Sequence, residues 1–365
     1  MANTAAGEAV ILIPSLEPDN RLPRYIRELL ENGFRYAVVV DDGSSESYQP
    51  IFNEIDAIDG VTVLHHEHNK GKGEALKTGY RYIQENMEGI TGVITADADG
   101  QHAVKDCIRL AEKLEDGKQA LYLGTRDFRK SNVPFKSSLG NRATSLLFLL
   151  LYGHWISDTQ TGLRAFRKEE LPFMAGIDGS RFEYEMNVLI ACARNGIPMI
   201  PVEIETIYEN ENKGSHYHPL KDSIRIFKVM AGNFVKFMGT SLICFLLDQG
   251  LAAILREWLL PAAGLAKGAF WNVNISGWGA RAVSAVVNFK MNQNLVFKLK
   301  GSPKQAAWKY AVLCIGIICL SNCGVWLLGK IGMAEWLAKI LMDFILYFVS
   351  YRMQAAWVFR EDEKA

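Results

Sequence analysis

Val93-Ile94-Thr95-Ala96-Asp97-Ala98-Asp99-Gly100-Gln101-His102 carries a short β-rich run, from Gly92 to Thr95, into two carboxylates one residue apart and then a glycine. In extended backbone, residues i and i+2 point to the same side. The spacing therefore predicts that Asp97 and Asp99 face one ion together. Hard oxygen ligands at a strand end suit Mg²⁺ or Mn²⁺, whose remaining positions are filled by water and substrate phosphate. The plainer alternative is a strand-ending turn, where Asp and Gly are common for conformational reasons alone. The neighbouring segments bear on that choice.

Upstream, Ala9-Val10-Ile11-Leu12-Ile13-Pro14 reads as a buried strand closed by proline, followed by a helix pattern from Leu22 to Asn32 that ends at Gly33. Tyr36-Ala37-Val38-Val39-Val40 leads into the acidic turn Asp41-Asp42-Gly43-Ser44, and Val61-Thr62-Val63-Leu64 forms the next strand. Asn69-Lys70-Gly71-Lys72-Gly73 then opens a helix running through Tyr80 and Ile83. Strands alternating with helices predict an α/β fold with a doubly wound, mostly parallel sheet, whose ligands sit at the carboxyl ends of the strands. Pro14, Asp41-Asp42 and Asp97-Asp99 all fall at such ends, so one site is expected to gather them. Asp41 or Asp42 suits a base or ribose, and a simple Asp-Asp-Gly-Ser turn is the alternative. The Gly71-Lys72-Gly73 loop admits close backbone approach to a phosphate with lysine as counter-charge. It lacks the G-x-x-x-x-G-K spacing of a Walker loop.

The run of Ile13-Pro14-Ser15, Val39-Val40-Asp41-Asp42-Gly43-Ser44, Asn69 to Ala75 and Asp97-Ala98-Asp99-Gly100-Gln101-His102 resembles the family 2 glycosyltransferases with a GT-A fold. Within them it is most similar to the polyprenyl-phosphate sugar transferases, which include dolichyl-phosphate mannose synthases. The similarity covers roughly residues 8 to 230, and Leu16-Glu17-Pro18 stands where the family usually has Tyr-Asn-Glu. The resemblance implies a nucleotide-sugar donor, UDP- or GDP-linked, held by Pro14, Glu17, Asp41, Asp42, Lys72, Asp97, Gln101 and His216. It places Asp97, Asp99 and Gln101 at Mg²⁺ or Mn²⁺.

Downstream, Leu123-Gly124-Thr125-Arg126 ends another strand, and Gly140-Asn141-Arg142 precedes an apolar run, Ser145 to Leu151, too short to span a bilayer. Ser157-Asp158-Thr159-Gln160-Thr161-Gly162-Leu163-Arg164 sets polar donors beside a glycine. The resemblance implies that Arg126, Arg142 and Arg164 hold the acceptor phosphate, work that suits a planar guanidinium. Solvated surface arginines are the alternative. Asp158, Glu183 or Glu185 is expected to orient the acceptor, and the sequence does not select among them. His216 and Lys213 lie in a loop similar to the one that closes over the donor in that family. His216 and His218 have no third ligand nearby to make a zinc site.

Composition bounds the rest. The 365 residues allow two domains at about 150 residues each, or one elaborated domain. Lys plus Arg and Asp plus Glu are equal at 40, so there is no basic excess of the nucleic-acid-binding kind. Six cysteines without a Cys-x-x-Cys pair argue against a zinc or disulfide framework and fit a reducing compartment. Met1 to Gly7 lacks the pattern of a signal peptide.

From Pro219 the character changes. Leu220 to Phe237 interleaves Lys221, Arg225, Lys228 and Lys236 with apolar residues, a basic amphipathic segment suited to the headgroup layer. Phe237–Leu255 and Tyr310–Leu328 have the length and apolarity of spans. Trp278–Phe297 and Trp336–Val358 are weaker because they contain charges, so two to four spans are expected. Asp248, Arg281, Lys290 and Asp343 are expected to face one another or a hydrated groove, since an unpaired charge in lipid is costly.

Residues 234 to 360 resemble the GtrA-like membrane domain, on Lys236-Phe237-Met238-Gly239, Val287 to Gln293 and Trp357-Val358-Phe359. That resemblance implies four helices. Lys298, Lys300, Lys304 and Lys309 flank the second connection, so the positive-inside rule places the first part of the chain in the cytoplasm. The expected organisation is a GT-A domain over 1–219, an interfacial segment over 220–236 and an all-α transmembrane bundle over 237–365. The expected activity is inverting, membrane-bound sugar transfer to a polyprenyl phosphate of undecaprenyl or dolichyl type, with homo-oligomerisation left open. A processive polysaccharide synthase is the alternative, disfavoured by the missing Gln-x-x-Arg-Trp. A lipid-linked sugar transporter with a degenerate nucleotide domain would need a broken acidic motif, and Asp97-Ala98-Asp99 is intact.

Overall fold

The computed structural model describes residues 4–126, 135–205, 219–297, 299 and 302–359. The chain divides into two compact units, Met1–Met230 and Ala231–Ala365.

The strands of the first unit are β1 (Ala9–Ser15), β2 (Tyr36–Asp41), β3 (Val61–His65), β4 (Gly92–Thr95), β5 (Leu121–Arg126), β6 (Arg164–Arg167) and β7 (Met199–Ile204). Its longer helices are α1 (Arg21–Glu31), α2 (Gln49–Asp56), α3 (Lys72–Asn86), α4 (Val104–Leu114), α5 (Phe135–Tyr152) and α6 (Glu183–Asn195). Every residue of β1 is buried, as expected of a central strand covered on both faces. Ile11 and Ile13 join Ile94, Leu22, Ile26 and Leu110 in one core. Each such side chain contributes about 1.5–3 kcal/mol by leaving water. On the other face α3 lies so close that a Cβ at Gly79 would collide with Leu12.

The described strands form one sheet in the order β3-β2-β1-β4-β6-β5-β7. β1 pairs in parallel with β2 on one side and β4 on the other. The strand order therefore reverses between β1 and β4, and the crevice beyond their carboxyl ends is where such sheets bind ligands. β6 is antiparallel to both β4 and β5, with Arg164 opposite Thr95. The sheet is mixed, and the expected polar turn before Arg164 is the lead-in to an inserted strand.

The later part of the chain is helical. Its long helices are α7 (Pro219–Ile254), α8 (Phe270–Met291), α9 (Pro303–Lys330) and α10 (Glu335–Met353). Single π-helical turns follow at Leu255–Leu259, Asn292–Val296 and Gln354–Val358. Two described helical stretches, Ile224–Ala262 and Pro303–Lys330, are long and apolar enough to cross a membrane. The expected interfacial segment is continuous with the helix that follows it, since α7 runs unbroken to Ile254.

Arg281 Nη2 meets Asp248 Oδ2 at 3.1 Å, and Ser284 donates to Asp248 Oδ1 at 3.2 Å. Asp343 instead pairs with Lys339, one turn back, at 2.7 Å and accepts from the Ser321 hydroxyl at 3.1 Å. Lys290 donates to the Gln293 side chain at 3.4 Å. Asp248→Leu strands the Arg281 charge, and a charge within a bilayer costs about 2.5–3.5 kcal/mol. The expected result is a lower unfolding temperature in detergent, recovered largely by adding Arg281→Leu, because removing both partners is far cheaper than removing one. Unchanged stability of Asp248→Leu would mean that the pair does not hold α7 to α8.

Candidate active site

The site begins at the exit of β2. Asp42 is buried, and its carboxylate accepts from the amides of Lys70 (2.9 Å) and Gly71 (2.7 Å) and lies 2.8 Å from His66 Nδ1. Asp42 is thus the peg on which the loop before α3 is formed. Asp41 accepts from the Ser44 amide at 2.8 Å and the Gln49 side chain at 3.2 Å, with His65 Nδ1 at 3.0 Å. Burial would raise the Asp41 carboxyl, but hydrogen bonds from Ser44, His65 and Gln49 outweigh it and hold it below its ordinary value. Both carboxylates already have partners within the chain.

Gly71 has φ +101°, and a Cβ there would strike the Ser180 carbonyl; at Gly73 a Cβ would lie 2.6 Å from the Tyr184 Cβ. These glycines let α3 start against the segment that leads into α6. Their smallness is used by the protein's own backbone, in addition to any access it gives a ligand. The result is the placement of Lys72, the first residue of α3, beside Asp97 and Glu185. Its ammonium lies 2.6 Å from Asp97 Oδ1 and 3.0 Å from Glu185 Oε1. Burial would lower the Lys72 ammonium, and the charges of Asp97 and Glu185 overturn that and raise it above the usual lysine range.

Asp97 and Asp99 lie beyond the end of β4. The strand stops at Thr95, and Ala98-Asp99 form a turn, because the partner strand β6 begins at Arg164, opposite Thr95. His102 Nε2 sits 3.2 Å from Asp97 Oδ2, and the Gln101 amide donates to Asp99 Oδ1 at 3.1 Å. Burial alone would raise the Asp97 carboxyl, but the Lys72 charge and His102 hold it well below the carboxylate range. Asp99 moves the other way, raised by burial and by the Asp97 charge. Gly162 presses on this group from the far side: a Cβ there would lie 2.5 Å from Asp97 Oδ2.

The arginines occupy different settings. Arg126 grips Asp158 with Nε and Nη2, at 2.7 and 3.1 Å, and Asp158 is fully buried. Arg142 is exposed on α5. Arg164 is 4% exposed; its Nε donates to the Thr161 carbonyl at 3.0 Å and its Nη1 to the Glu185 carbonyl at 2.8 Å. Two carbonyls of the fold hold Arg164, and its Nη2 has no partner among the described residues. Pro14 is buried at the end of β1. Glu17 is exposed at φ +49°, with its amide donating to Ser44 Oγ at 2.8 Å. His216 and Lys213 lie outside the described residues.

Glu185 and His102 complete the constellation around Lys72 and Asp97. From the sequence, Glu185 is one of three candidates for orienting an acceptor. His102 has no role in the sequence reading, although a histidine five residues after Asp97 across a turn is a usable signal. Among the described residues no group of three or more His, Cys, Asp or Glu side chains forms a metal cage.

Two family descriptions match the chain: Glycosyl transferase family 2 over residues 10–176, and the GtrA/DPMS transmembrane domain over residues 236–359. An uncharacterized protein of Methanocaldococcus jannaschii is 30% identical over 205 residues, 55% of this chain and 82% of that protein. The UDP-N-acetylglucosamine–dolichyl-phosphate N-acetylglucosaminyltransferase of Methanococcus voltae is 28% identical over 217 residues, 54% of this chain and 85% of the relative. The polyprenol monophosphomannose synthase of Mycolicibacterium smegmatis is 25% identical over 210 residues, 55% and 78% of the two chains.

Proposed function

We propose, for a chain that belongs to glycosyl transferase family 2 and carries a GtrA/DPMS transmembrane domain, the transfer of one sugar from a UDP- or GDP-sugar to a polyprenyl phosphate. The observation that carries this reading is Lys72. An ammonium has three N–H donors, and Asp97 and Glu185 take two of them. The third has no partner among the described residues, at the strand ends where such folds bind nucleotides.

In this reading the acceptor phosphate oxygen forms a bond to the anomeric carbon while the bond to the nucleoside diphosphate breaks, with inversion. The acceptor is already anionic, so no strong general base is needed. The chain's main task is electrostatic, placing positive charge where the departing diphosphate gains negative charge. Lys72 does this, held in position by its two carboxylates. Arg126, oriented by Asp158, and exposed Arg142 are the acceptor-phosphate candidates.

Asp97 and Asp99 fit Mg²⁺ or Mn²⁺: they are hard oxygen donors, and the Asp97 charge that raises Asp99 is one that a dication would neutralise. Such ions need only one or two carboxylates when a substrate diphosphate supplies further oxygens. Bound there, the ion supplies Lewis-acid stabilisation of the leaving diphosphate.

We place the transferase domain at 1–219, the interfacial segment at 220–236 and four spanning helices within 237–365. The catalytic part faces the cytoplasm, in line with Lys304 and Lys309 beside the second connection. The test is incubation of membranes holding the full chain with radiolabelled UDP- and GDP-sugars and a polyprenyl phosphate. Label is expected in an organic-extractable lipid carrying one sugar. Label in polymer would favour a processive synthase, and no transfer from any donor would remove the reading.

A further inference from the structure

The membrane unit repeats itself. Residues 286–297 read VVNFKMNQNLVF and residues 348–359 read FVSYRMQAAWVF, the ends of α8 and α10 with the π-helical turns that follow. Residues 236–241, KFMGTS, and 309–314, KYAVLC, begin the matching parts of α7 and α9. The Asn292 side chain donates to Gln354 Oε1 at 3.0 Å, and Phe297 stacks on Phe359 at 5.0 Å. Equivalent positions of the two helix pairs therefore meet each other.

The repeat puts one cation beside one inward aromatic on each helix: Lys236-Phe237, Phe289-Lys290, Lys309-Tyr310 and Tyr351-Arg352. The aromatics form a single layer: Phe237 and Phe297 pack on Tyr351 at 5.3 and 5.8 Å, Phe289 packs on Tyr310 at 5.4 Å, and Phe359 joins Phe289 at 5.7 Å to Phe297. The four cations consequently lie at one level, three exposed and Lys309 partly so. Three cations elsewhere in this unit are matched by acids: Arg281 by Asp248, Lys339 by Asp343 and, in the turn before α8, Lys267 by Glu257. The four at this level pair with no acid among the described residues. Among the described residues Lys290 reaches the Gln293 amide oxygen and the Phe289 ring.

We infer that Lys236, Lys290, Lys309 and Arg352 form a belt that binds the phosphate headgroups of anionic phospholipids around the bundle. Four cations at one level, each beside an aromatic and none matched by an acid among the described residues, are the argument. A cation at the edge of an apolar bundle has either a carboxylate from the protein or an anion from its surroundings, and each Lys or Arg near an anionic surface is attracted to it. The aromatic beside each cation suits the same layer, where amphipathic side chains anchor helices. This surface is separate from the transfer reaction and does not depend on it.

The test uses the full chain in vesicles of phosphatidylcholine and phosphatidylglycerol, with spin-labelled forms of each lipid reporting association with the protein. The expected result is enrichment of phosphatidylglycerol, about five-fold for a lipid touching one cation, weakened by salt. Replacing all four residues by Gln should bring the ratio to about one, and Lys267→Gln, at the opposite end of the helices and matched by Glu257, should leave it unchanged. Should the fourfold variant not fold, Lys236→Gln with Lys309→Gln and Lys290→Gln with Arg352→Gln are each expected to lose part of the enrichment. No enrichment in the wild-type chain, enrichment surviving these changes, or equal loss from Lys267→Gln would overturn the belt. Retention of polyprenyl phosphate without phosphatidylglycerol would also overturn it, making the surface a substrate site.

Discussion

Asp97→Asn lowers the transfer rate by about 10²–10³-fold, the range seen when one preorganised electrostatic group is removed, and leaves the protein folded. The two expectations have separate causes. Asn keeps the shape of Asp and one acceptor oxygen but removes the charge that holds Lys72 protonated against burial and that helps make the site fit for a dication. Folding survives because Asp97 lies beyond the end of β4 and is partly exposed at 32%, while Glu185 continues to pair with Lys72. Asp97→Glu is expected to fail as well. The carboxylate is pressed against Gly162, where even one added carbon would sit 2.5 Å from Oδ2, so a longer side chain has no room in that direction. The measurement is transfer at saturating donor and acceptor, beside a thermal unfolding curve for each variant. Lys72→Met combined with Asp97→Asn should cost much less than the product of the two single losses, because groups that act as a unit are not additive. A near wild-type rate for Asp97→Asn, or full additivity with Lys72→Met, would separate these residues from the chemistry.

The acidic strand ends were legible in the sequence because parallel strands place their carboxyl ends on one edge, so Asp41-Asp42 and Asp97 had to arrive near each other. Lys72 was legible for the same reason, standing at the start of the helix before β4. Which acid has which job was not legible. Asp42 as a loop peg and an acid meant for a ligand have the same local sequence, and only the amides of Lys70 and Gly71 distinguish them. The glycines of that loop were read for a phosphate, yet Ser180 and Tyr184 press on them from a distant segment that no local pattern announces. β6 is four residues long, too short to show a period, and its insertion against β4 is what turns Arg164 inward. In the helical part, Arg281 and Asp343 weakened the apolar signal of α8 and α10. The structure gives each an opposite charge, which hydropathy along a single segment does not register.

Arg164→Ala is expected to cost about 2–5 kcal/mol of stability, since two carbonyls lose a charged donor and an unsatisfied buried group costs about 1–3 kcal/mol. The same change should lower kcat without selectively raising KM for the polyprenyl phosphate. Arg164 forks between the Thr161 carbonyl and the Glu185 carbonyl, two segments that flank the site from opposite sides. Thr161 precedes Gly162, which abuts the Asp97 carboxylate, and Glu185 holds Lys72. One guanidinium therefore sets the distance between the acid and the ammonium without touching either. Its third nitrogen, Nη2, is buried with no partner among the described residues, beside a small cavity also lined by Tyr80 and Tyr184. A polar donor facing such a space is suited to a bound water. Arg164→Lys retains the charge but not the planar fork, so it should hold one carbonyl at a time and recover only part of both stability and kcat. The readout that decides is the split between constants in variants that remain folded. A rise in KM confined to the lipid phosphate, with stability unchanged, would return Arg164 to the acceptor side; parallel losses of stability and kcat, graded from Lys to Ala, are what a clamp between the two halves of the site produces.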